Sequence, residues 1–407
     1  MKILCFNDIT ATDGVTFYRA KQPLEYLKSK GHEIVYWRDY VNAKDRHDLM
    51  EEIATVDLIW CATPSDPKLL ELLAELTRQS LKEQLMLAYG VPKEEMLKEG
   101  LSIKPLRIVC DLDDDLFQVN PHNIAYMARG RKEVLYTDPD TKEVLPLWKD
   151  GSFYTNSSGV KAMFSSKTNS TALASIIEIL RLSDMITTPS QRLKRRLKRF
   201  AINGPAVLLP NAIDLEGFPY QVPTDYTELR LLWTLSASHY QDWVKIYPTI
   251  GRLMKKYTHL TLVTVGAKFP VANRAIPLSR WEHHGWQQIG EYGKYLSSLK
   301  CNLAVAHVCP DKFNLSKSAL KWEEYATLGI PSLVSNHLYG DLIAGDEALV
   351  YSSVEDFEQK MELICSGNTK DLPAMAARAY ETIKKSYALP VVGAALEKSL
   401  LELLQRQ

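Results

Sequence analysis

Long apolar runs are missing from this sequence of 407 residues. No stretch approaches the ~18–20 consecutive apolar residues that a membrane-spanning helix needs, so any membrane contact is expected to be peripheral. An excess of charge of either sign is missing too, because 49 basic and 49 acidic residues cancel. This balance argues against binding of nucleic acid through bulk charge, but it leaves room for a local basic patch.

Cysteine is scarce, and the six cysteines show no spacing typical of a metal site. Cys5, Cys61, Cys110 and Cys301 lie in apolar, strand-like runs, which favours reduced core residues in a cytoplasmic protein. Residues 1–7 are typical of a buried strand with no basic region or cleavage signal ahead of them, so secretion is not expected. A complete G-x-G-x-x-G fingerprint is also missing, which gives NAD binding little support.

The sequence has the composition of an ordinary folded protein, with 46% hydrophobic and 24% charged residues. Its length exceeds the usual limit for one core, so two domains are expected. Short apolar runs alternate with amphipathic ones, which is the pattern of parallel sheets with crossover helices. The predicted strands are 3–6, 33–37, 57–62, 107–110, 185–188 and 206–209 in the first half, and 231–235, 260–265, 302–307, 332–334 and 348–351 in the second.

The densest turn and linker signal lies in the middle of the chain, between about 210 and 228. We therefore predict two Rossmann-like α/β domains, at 1–212 and 213–388, whose switch-point crevices face a cleft. Residues 389–407 are predicted to form a last helix, after a break at Pro390, that packs back on the first domain. The polar segment at about 121–169 contains a candidate hairpin, and it is either a surface decoration or an acceptor-recognition loop of the first domain.

One amphipathic segment, residues 314–331, has the strongest functional signal. At about 100° per residue, Asn314, Lys317, Lys321 and Glu324 share one stripe of a predicted helix, and apolar residues line the opposite side. Ammonium groups near a helix start suit an anionic diphosphate, and a carboxylate one or two turns later suits ribose hydroxyls. Taken alone, the same stripe also fits a solvated helix face.

These features together resemble the GT-B glycosyltransferases, and particularly their retaining group. The resemblance rests on two tandem Rossmann-like domains, the segment 317–331 and the linker 210–214, and it covers nearly the whole chain outside the 121–169 segment. It implies that a sugar is transferred from a nucleoside-diphosphate sugar to an acceptor. No cofactor is implied, and no metal is strictly required.

The resemblance implies roles for particular residues of the 314–331 segment. Glu324 takes the place of the glutamate that binds the nucleotide ribose in the family. A second family glutamate, which touches the donor sugar, is replaced here by Ser316, and Lys317 or Asn314 is expected to substitute for it. Lys317 would also assist departure of the diphosphate. Lys321 and Ser318 complete the expected substrate-binding set of this segment.

Two loops add further candidates for substrate binding. Ser236 to His239 resemble the small-residue turn that meets phosphate in the second domain, with His239 as the phosphate neighbour, although a plain helix cap fits this turn equally well. In the first domain, Gly14, Tyr18 and Arg19 resemble the loop that contacts donor phosphate and acceptor. Arg19 is expected to reach an anion there as a planar fork.

An acidic cluster, Asp111 with Asp113, Asp114 and Asp115, follows the predicted strand at 107–110. Carboxylates this close repel one another, so they need cations, N–H donors or a raised pKa. Three interpretations stay open: a metal site, which the resemblance disfavours, a capping role, or a carboxylate that faces the reacting sugar. In the last case, Asp111 or Asp113 would stabilise an oxocarbenium-like sugar.

The strongest charge run has six basic residues between 192 and 199. With its apolar residues at helical spacing, it predicts a docked helix with a solvated basic face, and it also fits contact with an anionic lipid or nucleic-acid surface. The expected partners are a nucleoside-diphosphate sugar and an acceptor left open among a DNA base, a lipid-linked glycan and a protein. A sugar-nucleotide epimerase and a non-catalytic nucleotide-sugar-binding protein remain as alternatives.

Overall fold

The computed structural model describes residues 1–6, 14–37, 46–88, 90, 92, 106–137, 142–155, 161–271, 275–340, 343 and 346–406. The chain divides into two compact units. The first comprises Met1–Asp114, Lys167–Ala212 and Leu389–Gln407, and the second comprises Asp115–Ser166 and Ile213–Ala388. Each unit contains one six-stranded parallel sheet, so the predicted α/β class with two Rossmann-like sheets is confirmed.

The bounds of the strands and helices are as follows. The strands are β1 (Lys2–Cys5), β2 (Glu33–Tyr36), β3 (Leu58–Ala62), β4 (Arg107–Asp111), β5 (Val134–Thr137), β6 (Val144–Trp148), β7 (Phe153–Thr155), β8 (Lys161–Met163), β9 (Met185–Thr188), β10 (Ala206–Leu208), β11 (Leu229–Leu235), β12 (Leu260–Gly266), β13 (Trp281–His284), β14 (Leu303–Ala306), β15 (Ser332–Ser335) and β16 (Leu349–Tyr351). The helices are α1 (Gly14–Thr16), α2 (Gln22–Ser29), α3 (Arg46–Ile53), α4 (Pro67–Ala88), α5 (Tyr126–Arg129), α6 (Ser166–Leu182), α7 (Gln191–Leu197), α8 (Tyr240–Lys256), α9 (Tyr292–Ser298), α10 (Leu320–Thr327), α11 (Asn336–Tyr339), α12 (Val354–Cys365), α13 (Leu372–Ser386) and α14 (Leu389–Gln405).

In the first unit the strand order is β10-β9-β4-β3-β1-β2. Strand β3 is buried along its whole length and β4 over its last four residues, because a parallel sheet is covered on both faces and its strands are therefore apolar runs. Since β1 has β2 on one side and β3 on the other, the winding of the chain reverses there. The carboxyl ends of β1 and β3 therefore form the switch point of this sheet.

The C-terminal helix α14 belongs to the first unit, as the sequence predicted. Its buried residues Val392, Leu396 and Leu400 join the same hydrophobic core as β1 and β3. A Cβ atom at Gly393 would lie 2.3 Å from the ring of Tyr26, so a glycine at this position allows α14 to approach α2 closely. Among the described residues, no helix is both long and apolar enough to cross a membrane.

The predicted insertion at about 121–169 packs differently from the expectation. The sequence placed it in the first domain, whereas Asp115–Ser166 belong to the second unit. The reason is a buried cluster in which Tyr126, Trp148 and Phe164 pack together with Phe313 of the second unit. The predicted hairpin is present as the antiparallel pair β5 and β6, and its turn, 138–141, lies outside the described residues.

In the second unit the strand order is β13-β12-β11-β14-β15-β16. Strand β11 pairs with β12 on one side and with β14 on the other, so the winding reverses between β11 and β14. Under this sheet, the rings of Trp233 and Trp243 lie 5.4 Å apart in a continuous hydrophobic core. The carboxyl ends of β11 and β14 are therefore the switch point of the second unit.

Candidate active site

Side chains from three segments converge at the switch point of the second unit. The first segment is Ser236–His239, which follows β11, and the second is the loop at 307–317, which follows β14. The third is α10, which begins at Leu320, shortly after that loop. Ligands of open α/β sheets bind outside the carboxyl ends of the strands at such points, so these segments form the candidate site of this unit.

The segment 314–329 is not one helix, which corrects the sequence prediction. Asn314–Ser316 form a 3₁₀ turn, Lys317 is extended with φ −66° and ψ 165°, and α10 begins only at Leu320. Asp311 holds the turn, because its Oδ1 accepts hydrogen bonds of 2.9 Å from the backbone N–H groups of Phe313 and Asn314. The predicted stripe is therefore interrupted before Lys321.

Two predicted ligand-binding residues of this segment, Asn314 and Ser316, are buried in the loop. The Asn314 amide donates to Asp311 at 2.9 Å and to the carbonyl of Cys309 at 3.2 Å. The Ser316 hydroxyl donates to the carbonyl of Lys312 at 3.3 Å. These bonds organise the loop, so we revise the assignment of both residues from donor binding to loop structure. Ser318 is half-buried between the 3₁₀ turn and α10, and its predicted role stays a prediction.

Two side chains of helix α10 form hydrogen bonds with Thr234 at the carboxyl end of β11. The ammonium of Lys321 donates to the carbonyl of Thr234 at 2.6 Å, and the Tyr325 hydroxyl lies 2.8 Å from the Thr234 hydroxyl. Burial lowers the pKa of Lys321 to about 8, against the opposing effect of Glu324 and with a contribution from Lys317. Glu324 lies one helical turn after Lys321 and is buried, so the predicted pair of an ammonium and a carboxylate is present.

Lys317 supplies a second ammonium group at this point. Its Nζ lies 4.9 Å from the centroid of the Phe313 ring. Its charge contributes to lowering the pKa values of His239 and Lys321. Within the described part of the chain, neither lysine forms an ion pair with a carboxylate. Glu324, Asp242 and Asp311 interact electrostatically with these lysines without pairing with them. Two ammonium groups at a switch point are an arrangement that suits a diphosphate.

His239 is held by Asp242, whose role was not predicted from the sequence. Its Nδ1 lies 2.7 Å from Oδ2 of Asp242, and both side chains are buried. Burial, aided by Lys321 and Lys317, lowers the pKa of His239 to about 3, so the ring is neutral rather than a cation for phosphate. The spacing of three residues across a helix start is the signal that could have revealed this pair. Ser236 contacts the Ser238 hydroxyl at 3.0 Å.

In the first unit, Arg19 and Asp111 form a buried ion pair. Arg19 donates through Nε and Nη2 to the two carboxylate oxygens of Asp111 at 3.0 Å and 2.5 Å, and the two side chains are 1% and 0% exposed. Arg19 also donates to the carbonyl of Leu209 at 2.6 Å, and Thr187 donates to Asp111 at 2.5 Å. The sequence predicted that Arg19 binds an anion and that Asp111 faces the sugar. Because the two side chains bind each other, we now assign both to the structure of the first unit.

Asp113 of the same cluster is more exposed than Asp111. It is 18% exposed and its Oδ1 lies 4.0 Å from Nε of Arg19. Tyr18 is buried and Gly14 is half-buried, and the predicted loop contact of both with a ligand stays a prediction because residues 7–13 lie outside the described part. Across the described residues, no group of three or more His, Cys, Asp or Glu side chains is placed to hold a metal ion.

Comparisons with known proteins agree with this architecture. Residues 250–390, roughly a third of the chain, match the glycosyl transferase-like family. This segment includes β14, the Lys317 loop and α10. By sequence, the chain matches no curated protein.

Several solved structures share the fold over nearly the whole chain. HepE of Anabaena in complex with UDP-glucose has 11% identity and a TM-score of 0.59, with 99% of this chain and 100% of that chain covered. Sucrose-phosphate synthase from Thermosynechococcus elongatus has 12% identity, a TM-score of 0.57 and coverage of 99% and 98%. The lipopolysaccharide outer core galactosyltransferase WaaB, in its apo form, has 10% identity, a TM-score of 0.53 and coverage of 99% for both chains. At these identities the likeness establishes the GT-B fold.

Proposed function

We propose that this protein is a glycosyltransferase that moves a sugar from a nucleoside-diphosphate sugar to an acceptor, with retention of the anomeric configuration. The main observation behind the proposal is that two ammonium groups, Lys317 and Lys321, lie at the switch point of the second sheet, with Glu324 one turn after Lys321. These groups lie inside the segment that matches the glycosyl transferase-like family. The HepE structure of the same fold contains UDP-glucose, which supports a nucleotide sugar as donor.

In the proposed reaction, the bond between the anomeric carbon and the diphosphate oxygen breaks, and a bond to the acceptor oxygen forms on the same face of the sugar. Lys317 and Lys321 stabilise the negative charge that grows on the leaving diphosphate. A carboxylate, which we assign to Asp113, stabilises the oxocarbenium-like sugar. A donor phosphate oxygen takes the acceptor proton. We propose that the two lysines, rather than a metal ion, neutralise the diphosphate, so transfer should persist in EDTA.

A binding screen tests the donor site. Thermal unfolding is followed with UDP, GDP, ADP and dTDP sugars, since a ligand that binds the folded state raises the midpoint. With the best ligand, Glu324→Ala is expected to weaken binding about 10- to 100-fold, because a buried carboxylate then no longer accepts the ribose hydroxyls. The matched control is Glu381→Ala, since Glu381 lies on the exposed face of α13 and pairs with Lys384. If the two variants weaken ligand binding equally, Glu324 does not bind the nucleotide.

A non-catalytic nucleotide-sugar-binding protein is the second candidate. Two observations favour it, namely that Ser316 is committed to the loop and that Asp111 is committed to Arg19. Mass spectrometry of the reaction products separates the two functions, because a binding protein forms a complex without hydrolysing or transferring the sugar. Where a product forms, the NMR coupling of its anomeric proton reports whether configuration was retained.

We propose that α7 contacts an anionic surface. Ser190 begins this helix by accepting a hydrogen bond of 3.2 Å from the backbone N–H of Leu193, and Leu193 and Leu197 are its buried residues. Four basic residues of the run form no ion pair with any described residue, namely Lys194, Arg195, Lys198 and Arg199. The acceptor class stays open among a lipid-linked glycan, a DNA base and a protein. A cytoplasmic location is proposed because all six cysteines are free thiols.

A further inference from the structure

Asp242 joins two strand ends at the switch point of the second unit. Its Oδ2 lies 2.7 Å from Nδ1 of His239, which follows β11. Its Oδ1 accepts a hydrogen bond of 2.6 Å from the backbone N–H of Cys309, which follows β14. Because Asp242 and His239 are both buried, the imidazole ring is held in one orientation and its Nδ1 is occupied.

The carboxylate decides which ring nitrogen carries the hydrogen. Burial would raise the pKa of Asp242, but the hydrogen bond and charge of His239, the charge of Lys317 and the Cys309 N–H lower it overall, so Asp242 is ionised and can only accept. Nδ1 of His239 must therefore donate. In the neutral ring, Nε2 then has a lone pair and no hydrogen. The charged groups that act on the ring are Asp242 of α8, Lys321 of α10 and Lys317 of the loop.

We infer that His239 accepts a hydrogen bond from a hydroxyl group of the donor sugar through Nε2, and that Asp242 is the positioning residue that makes this nitrogen an acceptor. This inference rests on the proposed glycosyltransferase function. No hydrogen bond within the described residues reaches Nε2. A phosphate oxygen is itself an acceptor and has no hydrogen to offer a lone pair, whereas a sugar hydroxyl donates one.

The neighbouring ammonium groups explain why a sugar is the partner. Lys317 and Lys321 offer the positive charge that a diphosphate needs, and their charges contribute to lowering the pKa of His239. A nucleotide sugar has its sugar bonded to that diphosphate, so a hydroxyl-bearing ring follows within one bond of the phosphate. The sequence-based assignment of His239 to phosphate is therefore replaced by an assignment to the sugar.

Three variants separate the acceptor role from a merely structural role. His239→Asn places an amide N–H where Nδ1 stands, so the bond to Asp242 persists while the Nε2 acceptor is lost. His239→Gln instead places an amide oxygen near the position of Nε2. Asp242→Asn still accepts from the Cys309 N–H through its oxygen, but its amide donates to Nδ1 of His239, which moves the ring hydrogen to Nε2 and converts the acceptor into a donor.

The test compares affinity for a sugar nucleotide with affinity for the matching diphosphate by isothermal titration calorimetry. The pairs are UDP-glucose with UDP, GDP-mannose with GDP, ADP-glucose with ADP and dTDP-glucose with dTDP, and the pair bound most tightly by the wild type is used. His239→Asn and Asp242→Asn are expected to weaken the sugar nucleotide about threefold to tenfold and to leave the diphosphate within about twofold. His239→Gln is expected to restore most of the loss. The wild-type affinity for the sugar nucleotide should stay constant from pH 6 to pH 7, because a neutral ring does not titrate there and both phosphates of a sugar nucleotide are diesters that stay ionised.

An equal loss for both ligands in His239→Asn would overturn the inference, since it would place the ring against phosphate or ribose. The inference would also be overturned if His239→Asn bound both ligands as tightly as the wild type does. If folded wild-type protein binds none of the four pairs, the proposed function fails and the inference fails with it. Thermal unfolding checks that each variant is folded. If the His239 variants unfold, monodeoxy analogues of the sugar nucleotide repeat the test on the wild type, where one analogue should bind about threefold to tenfold more weakly.

Discussion

Replacement of Asp111 by alanine tests whether this carboxylate stabilises the first unit or acts on the sugar. Asp111 and Arg19 are 0% and 1% exposed and share two hydrogen bonds. Removal of one partner from a buried ion pair costs about 3–5 kcal/mol, because the other charge is left uncompensated. The hydroxyl of Thr187 also loses its acceptor. Each kcal/mol moves the midpoint of a domain of ~150–250 residues by roughly 2–4 °C, so Asp111→Ala should lower it by roughly 6–20 °C.

Urea titration and thermal melts, followed by circular dichroism, measure the loss in Asp111→Ala. The matched control is Asp113→Ala, which removes a partly exposed carboxylate 4.0 Å from Arg19 and should cost less than about 1 kcal/mol. The double variant Arg19→Met/Asp111→Leu removes both charges and should recover most of the lost stability. If Asp111→Ala unfolds at the wild-type midpoint and abolishes sugar transfer, the structural role of Asp111 is wrong and the catalytic role returns.

Three further predictions follow from the charges of the structure. Affinity for the sugar nucleotide, whose phosphates are diesters, should stay constant from pH 6 to pH 7 and weaken as the pH rises through about 8, where Lys321 loses its proton. Calorimetry of Lys321→Arg should show no such decline, because arginine stays charged. Protein stability should fall as the pH drops from 6.5 toward 4.5, since burial lowers the pKa values of His239 to about 3 and of His307 to about 4, and the unfolded chain then binds more protons. Urea titrations should show a loss of roughly 1 kcal/mol for each of these histidines at pH 5.5, and about half of the total should disappear in His239→Asn. In low salt, the wild type should sediment with vesicles that contain anionic lipid and should not sediment with neutral vesicles. A variant in which Lys194, Arg195, Lys198 and Arg199 are replaced by glutamine should sediment with neither kind of vesicle.

The strands could be predicted because their signal is local. A parallel strand that is covered on both faces is an apolar run of four to seven residues, and such a run is visible in the sequence wherever it occurs. Strand β13 was missed because Trp281–His284 is half-buried at the edge of its sheet and contains two histidines and a glutamate. The insertion was assigned to the wrong neighbour in space, since nothing in its own residues shows that Phe313 completes its core.

The candidate site was predictable only where its contacts are local. Lys321 and Glu324 lie three residues apart in α10, and helical geometry puts such residues on one face. The start of that helix was not predictable, because it depends on Asp311, which holds the preceding residues in a 3₁₀ turn. The role of Asp242 was not predictable, because its second partner, the backbone of Cys309, lies 67 residues away in the sequence.

The sequence by itself determined the α/β class, the order of the strands along the chain and the set of charged residues from which a site can be built. Only the tertiary structure decided which of those charges are available to a ligand. Arg19 and Asp111 are 92 residues apart in the chain and neutralise each other inside the first unit, whereas Lys317 and Lys321 form no ion pair with a described carboxylate. The physical reason is that an ion pair between distant residues depends on which strands become neighbours in the sheet, and no local pattern contains that information.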